Sequence, residues 1–109
     1  MLNNWLAELA ETTAENLSFA RRLGLDLGVL VDLLESTPLG SPYALQKARV
    51  VLAGDFAPAF ALKDADLAAR AARESGAELP LTQALLPRWR RAAANGHADD
   101  DVAAIYTTP

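Results

Sequence analysis

The stretch that decides the fold is residues 2–24, LNNWLAELAETTAENLSFARRLG. Its apolar residues return at intervals of three and four, which is the spacing of one face of an α-helix. Arg21 and Arg22 lie in the last predicted turn, where the negative end of the helix dipole favours cations, and Gly24 follows as a C-terminal cap. We expect this helix to present one broad apolar face, made by Leu2, Trp5, Leu6, Leu9, Leu17, Phe19 and Ala20.

Capping residues and prolines divide the rest of the chain into further helices. Asp26 is placed to cap a short helix that runs through Glu35, and Ser41 followed by Pro42 predicts a third helix, from Tyr43 to about Ala53. We expect three more: from about Pro58 to Ser75, from about Thr82 to Asn95, and from Asp101 to near Tyr106. Pro87 should kink the fifth helix or delay its start. The prediction is one all-α domain of about six helices, covering residues 1–109.

Composition excludes several classes of protein. The chain has 109 residues, 51% of them hydrophobic, with a net charge of -4, no cysteine and one histidine. Without cysteine there is no disulfide, zinc–thiolate site or iron–sulfur cluster, and a reducing cytoplasm is the expected location. An acidic chain lacks the basic surface that nucleic-acid binding requires, so we expect no nucleic-acid partner. Charges interrupt every apolar run, so we expect no membrane partner either.

The residues alone give no catalytic constellation. The triplet Asp99 to Asp101 lacks the spacing of a calcium loop, and it is interpreted as a helix cap with solvated neighbours. Three arginines surround Trp89, at positions 88, 90 and 91. Because the chain is acidic overall, this cluster is interpreted as a solvated helix face or an ionic contact to a partner, not as an anion site.

Four motifs carry a resemblance to a known family. They are Leu2-Asn3-Asn4, the stretch from AENL at 14–17 to LGLD at 23–26, KDADLA at 63–68, and GHADDDVAAI at 96–105. Their order and spacing resemble the C-terminal helical domain of the β-hydroxyacid dehydrogenases. This group contains 3-hydroxyisobutyrate dehydrogenase, tartronate semialdehyde reductase and, more remotely, 6-phosphogluconate dehydrogenase. The resemblance covers nearly the whole chain and implies a fold like the C-terminal domain of 6-phosphogluconate dehydrogenase.

The resemblance implies roles for a few residues. The family's catalytic lysine would fall one residue before Met1, so no catalytic residue is expected in this chain. Asn4 resembles the asparagine that hydrogen-bonds substrate and lysine, although a polar residue in a helix's first turn is its plain structural interpretation. Lys63 resembles the lysine that reaches the cofactor, and Asp64 the acidic position near the substrate pocket. The plain interpretation of Lys63 and Asp64 is a solvated surface pair.

The family's pocket phenylalanine has two candidates here. A gap-free count places it at Phe56, whereas the Pro-Ala-Phe context fits Phe60 with about one helical turn deleted. Both residues stay candidates for the substrate pocket.

The resemblance also implies what the complete enzyme contains. Family members bind NAD or NADP on an N-terminal Rossmann domain, and this sequence has neither a G-x-G-x-x-G turn nor a βαβ pattern. We therefore expect a domain that is inactive alone, holds no cofactor by itself, and serves a small hydroxyacid substrate once joined to its Rossmann domain. Two alternatives stay open: a stand-alone helical module for dimerisation or scaffolding, and the C-terminal half of an imine reductase-like enzyme.

A homodimer is the expected assembly, since the helical domain builds the dimer in this family. The candidate interface residues are on the first helix: Leu2, Trp5, Leu6, Leu9 and Phe19. The same residues could equally form an intrachain core, and the sequence does not separate the two interpretations.

Overall fold

A computed structural model describes residues 2–54 and 66–107, and within these ranges every regular element is a helix, with no strand. The α-helices are α1 (Leu2–Arg22), α2 (Leu27–Glu35), α3 (Pro42–Ala53), α4 (Asp66–Ser75) and α5 (Pro80–Ala92). A kinked turn, Ala93–His97, in which Asn95 and Gly96 depart from helical geometry, and a 3-10 helix, Val102–Thr107, complete the described part. The prediction of an all-α fold is confirmed.

The predicted caps form as the sequence indicates. The Asp26 carboxylate accepts a hydrogen bond from the backbone N of Val29 at 3.2 Å, and the Ser41 hydroxyl accepts one from Ala44 N at 3.2 Å. Each satisfies a backbone N–H that has no partner inside the helix. Gly54 ends α3 in the left-handed conformation, with φ of 72°, which glycine adopts without steric cost.

The fifth helix differs from its prediction at both ends. It begins at Pro80 instead of Thr82, continues through Pro87, and ends at Ala92 instead of Asn95. Pro80 can start the helix at no cost in hydrogen bonds, because the first helical N–H has no partner inside the helix and the fixed φ of proline suits this position. The helix survives Pro87 because Leu85, Leu86 and Trp89 bury one face of it against the core. The start of the fourth predicted helix lies outside the described residues.

The broad apolar face predicted for α1 is wrong, because its residues separate onto two faces. The buried face is made largely of alanine and consists of Ala7, Ala10, Ala14, Leu17 and Ala20. Small side chains let α1 approach its neighbours closely, and it packs against α3, α5 and the 3-10 helix. By contrast, Leu2, Trp5 and Phe19 expose 84%, 65% and 62% of their surface.

The core has two parts that share α1. One part joins α1 to α5 and the 3-10 helix, where Trp89, Val102 and Ile105 are almost fully buried. The other joins α1 to α2 and α3 through Leu17, Val31 and several aliphatic residues of α3. Because Ala103 belongs to this second part, the 3-10 helix contributes to both parts of the core, although it is close to the end of the sequence.

Candidate functional site

A polar cluster lies where the start of α1 meets the start of α5. Asn4 and Glu8 are one helical turn apart on α1, and Thr82 reaches them from the first turn of α5. The Asn4 Nδ2 donates to Glu8 Oε1 at 3.1 Å, and the Thr82 hydroxyl donates to Asn4 Oδ1. The Thr82 Oγ1 also lies 3.3 Å from Glu8 Oε1. Asn4 therefore belongs to a connected polar network that joins the first turns of α1 and α5.

The cluster combines a buried anchor with a less buried amide. Thr82 exposes only 2% of its surface, whereas Asn4 and Glu8 are partly buried. An asparagine amide has two N–H donors and two acceptor lone pairs, and the network uses one of each. One donor and one acceptor of Asn4 thus stay available: a hydroxyl group can pair with either, and an ammonium group can donate to the acceptor.

A buried ion pair links α3 to the C-terminal segment. Lys47 Nζ lies 2.7 Å from Asp101 Oδ2, and each of the two side chains is only 3% exposed. The second carboxylate oxygen of Asp101 accepts from Ala103 N at 2.9 Å and caps the 3-10 helix. The predicted cap is therefore present; Asp101 itself is buried, and Asp99 of the same triplet is exposed. Sequence spacing could not reveal this pair, since its members are 54 positions apart.

Tyr43 lies beside this ion pair. The Lys47 ammonium is 5.2 Å from the centre of the Tyr43 ring, within the range of a cation–π contact. The Tyr43 hydroxyl is buried and has no hydrogen-bond partner. Burial, with a smaller contribution from the Asp101 charge, raises the pKa of Tyr43 well above its ordinary value. The phenol therefore stays neutral at pH values where an ordinary tyrosine ionises.

A second network connects α1, α5 and the 3-10 helix through Glu11. Its carboxylate accepts from Trp89 Nε1 at 2.8 Å, and Arg88 Nε lies 3.1 Å from its other oxygen as an ionic contact without hydrogen-bond geometry. Arg88 also donates to the carbonyl of Ile105 at 2.9 Å. Burial raises the pKa of Glu11, and the Trp89 hydrogen bond and the Arg88 charge oppose that rise. The interpretation of Arg88 and Trp89 as part of a solvated face is wrong, because both support the core.

The other predicted site residues fall outside the described residues. These are Phe56, Phe60, Lys63 and Asp64. Within the described part, no group of three or more histidine, cysteine, aspartate or glutamate side chains is arranged to hold a metal ion. No helix of that part is long and apolar enough to cross a membrane.

Comparison with known proteins gives one consistent family. Residues 1–108 match the family described as the NAD-binding domain of NADP-dependent 3-hydroxyisobutyrate dehydrogenase. Among solved structures, the fold superposes on 3-hydroxyisobutyrate dehydrogenase from Salmonella typhimurium with a TM-score of 0.87 and 24% identity. It superposes on the Mycobacterium tuberculosis enzyme, solved with L-serine, with a TM-score of 0.81 and 28% identity. Both alignments cover 96% of this chain, and 38% and 40% of those two proteins respectively.

A curated relative carries a different name. The chain is 33% identical over 97 residues to the cytokine-like nuclear factor N-PAC of Aedes aegypti, an alignment that covers 85% of this chain and 17% of that protein. The chain thus spans less than a fifth of that relative and about two fifths of the solved dehydrogenases.

The helical fold, the asparagine at the start of α1 and the match over nearly every residue agree with one another. The chain belongs to the family of the C-terminal helical domain of the β-hydroxyacid dehydrogenases, of which 3-hydroxyisobutyrate dehydrogenase is a member.

Proposed function

We propose that this chain is the C-terminal substrate-binding and dimerisation domain of an NAD(P)-dependent β-hydroxyacid dehydrogenase similar to 3-hydroxyisobutyrate dehydrogenase. The observation that carries the proposal is the family match over residues 1–108, which includes the Asn4 position. In this proposal the complete protein is a cytoplasmic enzyme, in which the Rossmann domain and the catalytic lysine come before residue 1. Residues 1–109 have no activity alone.

The chemistry assigns Asn4 a supporting role. Oxidation of a hydroxyacid removes hydride from carbon and a proton from the hydroxyl, and the nicotinamide cofactor, when bound, accepts the hydride. The lysine handles the proton as a general base. Asn4, with one free donor and one free acceptor, would hydrogen-bond the substrate hydroxyl and the lysine. Its contribution is to orient both groups for transfer.

The remaining site residues are assigned by family resemblance. Lys63 would contact the cofactor as a flexible cation, and Asp64 would lie near the substrate. Phe56 or Phe60 would line the apolar side of the substrate pocket. L-serine is a suitable test ligand because it is a β-hydroxy acid and is named with the Mycobacterium tuberculosis enzyme.

The exposed side of α1 supports the dimerisation part of the proposal. Trp5 and Phe19 are large apolar side chains with more than half of their surface exposed. An apolar groove of about 420 Å³ between α1 and α2 has Leu9 and Leu30 among its lining residues. An apolar groove on the same helix as exposed aromatic side chains is typical of a face that a partner covers. A second copy of the chain presents the same apolar face, so the two faces can cover each other across a twofold axis.

Light scattering tests the dimer. The chain is expected to have a dimeric mass, and Phe19→Glu should shift it to the monomer because a charge would be buried at the interface. Leu52→Glu is the matched control, since Leu52 is 44% exposed and lies at the end of α3 instead of on α1. A monomeric mass for the unmodified chain at all concentrations would contradict this part of the proposal.

Cofactor binding tests whether NAD or NADP is held by the Rossmann domain, with Lys63 of this chain as an additional contact. The isolated chain should show no micromolar affinity for NAD or NADP in calorimetry, because it has no phosphate-binding glycine turn. When the chain is joined to an upstream Rossmann half that ends in the lysine, Lys63→Ala should weaken cofactor binding by roughly tenfold. Asn4→Ala should lower turnover and leave cofactor affinity nearly unchanged. If Lys63→Ala and the unmodified joined protein bind the cofactor with equal affinity, Lys63 does not contact the cofactor.

A second candidate function is a helical module that dimerises or scaffolds without catalysis. The observation in its favour is the relative's name, which is that of a nuclear factor and not of a dehydrogenase. The two candidates differ in one result. A joined protein that binds its partner copy but does not turn over any β-hydroxy acid would support the scaffolding module.

A further inference from the structure

The orientation of the Asn4 amide is set by two residues that the family resemblance does not assign. The amide has a donor end and an acceptor end that differ only by a half-turn about the last side-chain torsion. If the amide turned over, Nδ2 and Oδ1 would exchange places, and a substrate hydroxyl or lysine would meet a donor where it had met an acceptor. Some feature of the protein has to select one orientation.

Glu8 makes that selection. An ionised carboxylate only accepts hydrogen bonds, and its Oε1 lies 3.1 Å from Asn4 Nδ2. A turned amide would place Oδ1 against Oε1, where two acceptors repel each other and no proton joins them. The charge on Glu8 therefore holds the nitrogen of Asn4 toward Glu8.

Thr82 completes the arrangement from the opposite helix. Its hydroxyl can donate or accept, so by itself it would satisfy either orientation. With Nδ2 committed to Glu8, the hydroxyl donates to Asn4 Oδ1. Thr82 is 2% exposed and its backbone is fixed in α5, so this donor has little freedom to move. The amide is thus held at both ends.

We propose that Glu8 and Thr82 are positioning residues that lock the Asn4 amide in a single orientation, so that one defined donor and one defined acceptor face the substrate. The proposal rests on the proposed function, since Asn4 has a ligand only if the domain serves a β-hydroxyacid dehydrogenase. Neither residue touches the reacting atoms in this scheme. Both act through Asn4.

Side-chain NMR of the chain itself tests the lock without any cofactor or substrate. The Asn4 Nδ2 group should be rigid, with an order parameter near the roughly 0.85 of ordered backbone, and Thr82→Val should lower it below about 0.6. Thr82→Ser keeps the hydroxyl and should restore the rigid value. Asn16 is the internal control, because its Nδ2 donates to Thr12 O at 2.8 Å, away from α5, and should not respond. A mobile Asn4 amide in the unmodified chain overturns the proposal.

Glu8→Gln separates the two positioning residues. A glutamine amide can donate as well as accept, so both orientations of Asn4 become satisfied and the Asn4 signals should double or broaden while the helix stays intact. An Asn4 spectrum unchanged by Glu8→Gln means that the carboxylate does not set the orientation, and it refutes that part of the inference.

Kinetics in the joined enzyme test the consequence for the reaction. Thr82→Val and Glu8→Gln should each lower kcat about tenfold with cofactor affinity unchanged, and Thr82→Ser should recover most of the loss. Unchanged kcat in an active enzyme overturns the positioning role. If the unmodified joined enzyme is inactive, the proposed function fails instead, and the NMR result still decides whether the amide is locked.

Discussion

The buried ion pair between Lys47 and Asp101 should make the fold sensitive to the loss of either charge alone. At 2.7 Å, and with an effective dielectric constant of about 20, the gross attraction is about 6 kcal/mol. Removing two charges from water costs several kcal/mol for each ion, so the net contribution of the intact pair is small. Loss of one partner is different, because the other charge stays buried and unpaired.

We therefore expect Lys47→Met to lower the free energy of unfolding by about 3–5 kcal/mol at neutral pH, as for other buried pairs that lose one member. Asp101→Asn should lower it by a similar amount, because it leaves the Lys47 ammonium buried. The double variant, Lys47→Met with Asp101→Asn, removes both charges and keeps an oxygen to cap Ala103 N. It should lie within about 1–2 kcal/mol of the unmodified chain, so the two changes should be strongly non-additive.

Urea unfolding followed by circular dichroism measures all three variants. An exposed pair provides the control: Arg49 lies 2.8 Å from Glu35, but each of these side chains is 54% exposed. Arg49→Met should cost no more than about 0.5 kcal/mol despite nearly the same distance. Single variants that lose less than about 1 kcal/mol, or a double variant as unstable as the sum of the two, would refute this reasoning. A single variant that does not fold is consistent with it only if the double variant folds.

Three further predictions concern individual residues. Tyr43→Phe should leave stability unchanged or raise it by up to about 1 kcal/mol in thermal unfolding, because it removes a buried hydroxyl that has no partner; a loss above 1 kcal/mol would count against this. Glu11 has a folded pKa above its ordinary value of 4.5, so its contribution to stability falls as pH rises from below 4.5 through the folded pKa. Glu11→Gln still accepts from Trp89 but does not titrate. Its free energy of unfolding in urea titrations should therefore rise relative to that of the unmodified chain as the pH goes from 4 to 7. A difference between the two proteins that does not change with pH would contradict the raised pKa of Glu11. Gly96→Ala should destabilise by roughly 1 kcal/mol, because Gly96 has φ of 100°, and unchanged thermal stability would show that the turn tolerates a side chain.

The sequence predicts the helices of this fold where local signals are strong. Asp26 and Ser41 cap α2 and α3 as expected, because N-cap chemistry depends on residues only three positions apart. The extent of α5 was not predictable from its prolines. Its boundaries depend on the burial of Trp89 and neighbouring residues, which is a tertiary effect.

The candidate site was predictable in part and only by resemblance. Asn4 was identified through its motif, whereas Glu8 and Thr82 carry no local signal, since Thr82 lies 78 positions from Asn4. The division of α1 into an alanine-lined core face and an exposed face with Trp5 also depends on which neighbours pack against it. Periodicity shows that a helix is amphipathic, but it does not show which apolar residues meet the core of the same chain.

Turnover by the joined protein tests the central claim most directly. The chain would be placed after a Rossmann half that ends in the catalytic lysine, and NADH or NADPH formation would be followed at 340 nm with a panel of β-hydroxy acids that includes L-serine. We expect turnover that depends on the cofactor, is absent from the chain alone, and falls strongly in Asn4→Ala. A folded, cofactor-binding joined protein without turnover on any of these acids, or with turnover indifferent to Asn4, would contradict the assignment of this chain as a substrate-binding domain.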